Sequence, residues 1–303
     1  MTTLASACPL AVSEEGPDCS KRLILRECLD RWQREVQHGE VDTGRYRGRY
    51  AVWGQGPTLV LIPGLASDAI SFAMLMARLQ SHFRCVSYDL PDGINDGARL
   101  TTYRHDDLTQ DLFALLDHLH IRECCLLGSS FGSTIALSAL HQRPDRFDHA
   151  ILQGGFARRP LAVAEEFVAS WARYLPGRLG QLPFVRRVIE HNHREPFLQR
   201  DPDVWRFFVE RSCQAPLRAF AMRLLMLHRL DLRPILPTIL HPMLLICGDR
   251  DPLVGKTCEQ ELKQGLPNVA RAEIEGCGHQ PHQTHPEVMA EVVRQFLLPA
   301  RSG

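Results

Sequence analysis

Gly128-Ser129-Ser130-Phe131-Gly132 sets a serine midway between two glycines. A serine hydroxyl becomes a nucleophile only when a base takes its proton and a third group orients that base. At ordinary residue usage the pattern G-x-S-x-G arises by accident roughly 0.1 times in a chain of this length, so the flanking residues decide. Before it runs Cys124-Cys125-Leu126-Leu127, a short bounded apolar stretch that reads as a buried parallel strand. After it, residues 133–140 read as a helix that ends near Arg143-Pro144. Ser130 therefore stands on a strand-to-helix turn, the setting a nucleophile elbow requires. Such a turn tolerates nothing bulky two residues to either side, and glycine at 128 and 132 meets that demand. The helix that follows offers the N–H of Phe131 to a developing negative oxygen. Ser129 is off-centre in the motif and is expected to pack.

In a parallel sheet the partners of Ser130 should stand just past the carboxyl ends of other strands. Asp251 follows an apolar run at 242–247, in Gly248-Asp249-Arg250-Asp251-Pro252. His279 follows a second run at 270–274, in Gly276-Cys277-Gly278-His279. The chain order Ser, Asp, His suits this kind of site. Asp249 competes with Asp251, its alternative role being a turn residue that caps its own backbone. His282 and His285 compete with His279, their alternative being a solvated loop and helix start. Residues 153–159 hold no carboxylate, which removes the other natural place for the acid. After the apolar run at 58–62, Pro63-Gly64-Leu65 offers a second oxyanion donor, the N–H of Leu65, with Gly64 allowing close backbone approach. Its alternative is a plain Pro-Gly turn.

The elements that must position these residues alternate along the chain. Strands are expected at 47–52, 58–62, 84–88, 124–127, 147–152, 242–247 and 270–274, and helices at 20–37, 72–80, 106–120, 133–140, 257–264 and 286–298. Strand–helix alternation predicts an α/β fold, a mostly parallel sheet with helices on both faces. Between 156 and 235 the strands stop, and helical patterns occur at 162–174, 183–191, 202–214 and 217–227. This block reads as an inserted helical cap on a core of residues 45–155 and 236–303, preceded by a tail and leading helix at 1–44. Aromatic side chains are frequent in the cap. Phe156 and Trp171 are expected to line a pocket for an apolar acyl or aromatic group of a small-molecule substrate, the alternative being that they pack the cap onto the sheet. Arginines 158, 159, 173, 178, 186 and 187 read as a solvated face.

Composition narrows the classes. The 303 residues carry 35 basic and 35 acidic side chains, so nothing favours nucleic acid or an anionic membrane in general. No run of 18 apolar residues is present, so no membrane span is expected. The first residues lack a positive leading region and Pro9 interrupts their apolar stretch, so they read as a loose tail rather than a signal peptide. Ten cysteines without a C-x-x-C pair, several in expected core strands, suit reduced thiols in a cytoplasmic protein. The spacing of His279, His282 and His285, and of His191 and His193, raises a metal site, but no cysteine or carboxylate cluster completes one. Neither a metal nor a cofactor is expected, since no glycine-rich phosphate loop occurs. The oligomeric state is left open.

With these residues in hand, the chain resembles the α/β-hydrolase fold superfamily over roughly residues 45–300. The resemblance rests on LVLIPGLASD, the YDL at 88–90, YRHDDLTQDLFALLDHL, LLGSSFGSTIAL, LLICGDRDPLV and IEGCGHQPHQTHPE. It implies Ser130 as nucleophile, Asp251 as acid, His279 as base, and Leu65 and Phe131 as oxyanion donors. Two departures stand out. Many members carry His-Gly where this chain has Pro63-Gly64, and many carry an Arg-Gly-x-Gly turn where it has Pro91-Asp92-Gly93-Ile94. The cap, with Phe156, Trp171, Tyr174-Leu175-Pro176 and Phe184-Val185, is also similar to the maspardin-like branch, which implies an adaptor. Three functions follow: a serine hydrolase of carboxylic esters, lactones or thioesters; a carbon–carbon bond hydrolase or acyltransferase with the same residues; and a non-catalytic adaptor. A serine nucleophile argues against the haloalkane dehalogenase and epoxide hydrolase chemistry of this fold.

Overall fold

The computed structural model describes residues 24–198 and 200–298. In chain order the elements are α1 (Leu25–Glu35), β1 (Gln37–Asp42), β2 (Arg47–Trp53), β3 (Thr58–Ile62), α2 (Ala73–Leu79), β4 (Arg84–Tyr88), α3 (His105–His118), β5 (Cys124–Ser129), α4 (Phe131–Gln142) and β6 (Phe147–Gln153). Then follow α5 (Val163–Ala172), α6 (Val185–Phe197), α7 (Pro202–Gln214), α8 (Leu217–Arg229), β7 (Met243–Gly248), α9 (Lys256–Gly265), β8 (Val269–Ile274), α10 (Pro281–Thr284) and α11 (Pro286–Leu297). The strands form one sheet in the order β1-β2-β4-β3-β5-β6-β7-β8. β1 and β2, and β2 and β4, pair antiparallel; the other neighbours are parallel.

Side-chain alternation along each strand builds two cores, one per face. Val60 and Ile62 of β3, Leu126 of β5, Leu152 of β6 and Leu245 of β7 join one cluster with α3 and α4. Leu59 and Leu61, Leu127, Ile151, and Leu244 and Ile246 join the other with α1, α2 and α11. Both faces are covered, which is why these strands read as unbroken apolar runs. From β3 the chain passes to β4 on one side and then returns to β5 on the other. The strand order therefore reverses between β3 and β5, and a crevice opens at their carboxyl ends.

Close approach at this point is permitted by glycine. A Cβ on Gly132 would lie 2.2 Å from the carbonyl oxygen of Ile62, and one on Gly128 would lie 2.6 Å from that of Gly132. α4 can thus begin directly against β3 and β5.

The structure departs from the sequence expectation in two places. β1 lies where a tail was expected; it is an edge strand with Val41 its one buried residue, so it shows no alternation to read. The leading helix begins at Leu25, and the expected start at 20–23 falls outside the described residues, as does the reading of the first 20. Four helices, α5 to α8, intervene between β6 and β7 as a helical insertion. α6 runs on to Phe197 through Pro196, past the expected end at 191. No helix among the described residues is long and apolar enough to cross a membrane.

The glycine contacts make a contrasting prediction. Gly132→Ala should cost about 3 kcal/mol or more in urea unfolding, because the added methyl meets fixed backbone. Gly255→Ser should be neutral or slightly stabilising, since Gly255 has φ −73°, meets nothing within 4 Å and caps α9.

Candidate active site

Ser130 lies between the end of β5 and the first residue of α4 with φ 51° and ψ −114°, a region that costs a non-glycine residue about 1–3 kcal/mol. Backbone bonds hold it there. Its N–H donates to the Gln153 carbonyl at 2.8 Å, and its own carbonyl accepts from the Ser133 N–H at 2.9 Å and the Ser133 hydroxyl at 2.5 Å. Ser130 is half-buried, at the point where strand order reverses. Gly64 passes directly beside it: a Cβ there would lie 3.6 Å from the Ser130 Cβ. The half-buried Leu65 follows, and Phe131 supplies the first N–H of α4.

On the far side of β6, His279 Nδ1 and Asp251 Oδ2 are 2.7 Å apart, with both side chains buried. A carboxylate can only accept, so His279 donates from Nδ1 and its Nε2 is left as the basic nitrogen. The other Asp251 oxygen, Oδ1, accepts from the N–H groups of Leu253 and Val254 at 2.8 and 3.0 Å. Burial works to raise the Asp251 carboxyl, but His279 and these two N–H groups outweigh it and hold the pKa below the usual carboxylate value. Asp249 is occupied elsewhere: its Oδ1 accepts from the Cys277 N–H at 3.0 Å, tying the loop after β7 to the loop after β8. His282 and His285 bond to Gln153 and Thr284, not to Asp251. Ser130 Oγ makes no hydrogen bond among the described residues, so no such bond joins it to His279.

A buried residue that sequence reasoning passed over connects the two halves. Gln153, the last residue of β6, accepts at Oε1 from the Ser129 hydroxyl at 2.7 Å and from His282 Nδ1 at 3.2 Å, and its Nε2 donates to the His279 carbonyl at 2.9 Å. Its backbone carbonyl is the one that takes the Ser130 N–H. The signal was a polar side chain closing a strand directly after its apolar run Ala150-Ile151-Leu152. The next residue, Gly154, has φ 54°, and a Cβ on it would lie 2.8 Å from the His279 ring. The imidazole therefore rests against bare backbone.

The insertion closes over this region. Pro196 of α6 packs on Gly278, and the His193 ring lies 6.3 Å from that of His279, centroid to centroid. Arg223 of α8 is fully buried and donates to the carbonyls of Leu65 at 2.6 Å, Leu90 at 3.2 Å and Pro91 at 3.1 Å. Burial pulls its pKa down to about 10, which leaves it charged at neutral pH. A charged residue within an apolar helical stripe was its sequence signal. Of the two residues expected to line a pocket, Phe156 is buried in the same cluster as Phe131, three residues beyond β6. Trp171 is 64% exposed, edge-on to Phe167 on the side of α5 away from the buried Ala169 and Ala172. A cavity of about 550 Å³ adjoins the loop after β3, with Ala66, Ser67, Asp68, Asp92, Arg211 and Arg223 in its wall.

Burial also sets an acid limit. Desolvation depresses His282 to about 3 and His105 to about 4, so the folded chain keeps both neutral while the unfolded chain protonates near 6.5. The stability these rings contribute is full above pH 6.5 and is lost as pH falls toward 4, by about 1.4 kcal/mol per unit for each ring. Urea unfolding at pH 7, 6 and 5 should show this slope, and His282→Asn, which keeps a donor for Gln153, should flatten it by about one ring's share.

Residues 57–286 match the alpha/beta hydrolase fold family. The chain is 26% identical over 249 residues to the uncharacterized hydrolase YugF of Bacillus subtilis, covering 79% of this chain and 89% of that one. It is 26% identical over 264 residues to a pimeloyl-[acyl-carrier protein] methyl ester esterase of Nitrosospira multiformis, covering 80% and 95%. The solved structure of an enol-lactonase from Burkholderia xenovorans superposes with a TM-score of 0.76 at 21% identity, covering 87% of this chain and 100% of that one. The elbow at Ser130, the reversal of strand order beneath it and the extent of the match lead to one assignment: the chain belongs to the alpha/beta hydrolase fold family.

Proposed function

We propose that the chain is a serine hydrolase of carboxylic esters, lactones included, with Ser130 as nucleophile, His279 as base and Asp251 as the group that orients and charge-stabilises it. The observation that carries this reading is the buried His279–Asp251 pair, whose geometry leaves Nε2 as the free basic nitrogen. The strained backbone of Ser130 supports it, since an adaptor gains nothing from that strain. The methyl ester esterase and the enol-lactonase among the similar proteins both bear names for ester cleavage, a lactone being a cyclic ester.

The chemistry would run in two halves. As the substrate enters, the Ser130 hydroxyl and His279 Nε2 come within hydrogen-bond reach. Ser130 Oγ attacks the carbonyl carbon while its proton passes to Nε2. The carbonyl oxygen, now negative, is held by the N–H groups of Leu65 and Phe131. The carbon–oxygen bond to the leaving alcohol breaks, and that oxygen takes the proton from His279. Water then gives a proton to His279 as it attacks the acyl-enzyme, the bond from the carbonyl carbon to Ser130 Oγ breaks, and Oγ takes that proton back as the acid leaves. The helices between β6 and β7 act as the cap that encloses the acyl group, with Phe156 at their root.

Fluorophosphonate labelling tests the reading. The wild-type chain should label, Ser130→Ala and His279→Ala should not, and hydrolysis of p-nitrophenyl esters should fall about 10⁶-fold in either variant. A folded wild-type chain that neither labels nor cleaves any of a series of esters would overturn it.

A further inference from the structure

We propose that Arg223 is a positioning residue: held on the inserted helix α8, it fixes the Leu65 segment so that the Leu65 N–H faces the oxyanion, and the oxyanion hole is complete only with the insertion docked. The proposal rests on the serine-hydrolase reading and adds a part to that site.

The loop after β3 has little to hold it. The Leu65 and Ala66 side chains pack against apolar neighbours, but the one backbone bond within the segment, Ser67 N–H to the Gly64 carbonyl, is long at 3.4 Å. The short contact to this loop comes from outside, from Arg223 Nη1 to the Leu65 carbonyl at 2.6 Å. The N–H and carbonyl of Leu65 flank one Cα, so anchoring the carbonyl restricts the rotation that would swing the N–H away. The same guanidinium spans to the Leu90 and Pro91 carbonyls, which belong to the loop after β4. One rigid fork thus sets the spacing of two loops at the crevice. A second arginine of the insertion, Arg211 of α7, pairs with Asp68 at the far end of the Leu65 segment.

Stability alone is a poor account of Arg223. Three neutral carbonyls hold it, and among the described residues no carboxylate makes a hydrogen bond to it, although Asp92 and Asp89 lie near enough to favour its charge. A buried charge held this way costs desolvation that a well-packed apolar side chain would avoid. What the guanidinium supplies and an apolar side chain cannot is donor geometry, with a positive charge behind the place where a negative oxygen forms.

The test compares Arg223→Met, Arg223→Lys and, as a packing control on the same helix, Met222→Ala, in the full chain. Three readouts are needed: the rate constant for fluorophosphonate labelling, kcat and KM on p-nitrophenyl acetate, and Tm. Arg223→Met should slow labelling and lower kcat about 30-fold with KM within about twofold, the pattern of a misplaced transition-state contact. Arg223→Lys, whose ammonium cannot reach three carbonyls at once, should fall between. Met222→Ala should lower Tm and leave labelling within about twofold. Labelling of Arg223→Met within about twofold of wild type, or an equal loss in Met222→Ala, would overturn the proposal while leaving the hydrolase reading intact. Should Arg223→Met fail to fold, Arg223→Lys decides by the same criterion. A wild-type chain that does not label sinks the hydrolase reading and this role with it.

Discussion

The site hangs on how near α4 can come to the ends of β3 and β5. Two backbones without side chains, Gly128 and Gly132, let the helix start in contact with Ile62 and its own strand, closer than any Cβ would allow. The residue caught between strand and helix has nowhere to relax, and Ser130 is pressed into positive φ. The strain persists because surrounding bonds over-determine it: one bond from the Ser130 N–H to β6 and two to its carbonyl from Ser133. The same closeness brings Gly64 against Ser130, so the loop that carries Leu65 and the helix that begins at Phe131 share one crevice. Local strain and global topology agree on a single place, the point where strand order reverses.

From that place the structure spreads through polar contacts rather than apolar ones. Gln153 touches the Ser130 backbone, the Ser129 hydroxyl, the His279 carbonyl and the His282 ring, all in a buried setting where each bond is worth more and each loss costs more than at the surface. Ser129, expected merely to pack, is a member of this network. The imidazole of His279 is thereby fixed from three directions: Asp251 at Nδ1, Gln153 at its carbonyl and the bare Gly154 backbone beneath the ring. Such a ring can turn little, which is what a base that must meet a strained serine would require.

Much of this was readable in the sequence because local rules and the global fold coincide there. β3 and β4 fall at the residues their apolar runs mark, and the loops that follow β3, β5, β7 and β8 bear Leu65, Ser130, Asp251 and His279. Glycine spacing exposed the elbow, and strand ends exposed the Asp251 and His279 loops. What stayed hidden has physical causes. β1 is an exposed edge with no alternation. Gln153 and Arg223 act through contacts distant in sequence, and spacing holds no trace of those partners. Trp171, expected to line a pocket, lies with Val163 and Phe167 on the exposed side of α5, because periodicity gives the width of an apolar face but not which way it turns.

The departure at Pro91-Asp92-Gly93-Ile94 can be understood in these terms. The turn after β4 has no arginine of its own, yet the Leu90 and Pro91 carbonyls do meet a guanidinium, delivered from α8 about 130 residues later. An arginine within the turn would be fixed by the turn. One on an inserted helix is fixed only while that helix is seated. The loops after β3 and β4 are thus joined through a segment that also covers His279, by way of His193 and Pro196. A motion of the insertion that carried α6 and α8 together would therefore act on the Leu65 loop and on His279 at once.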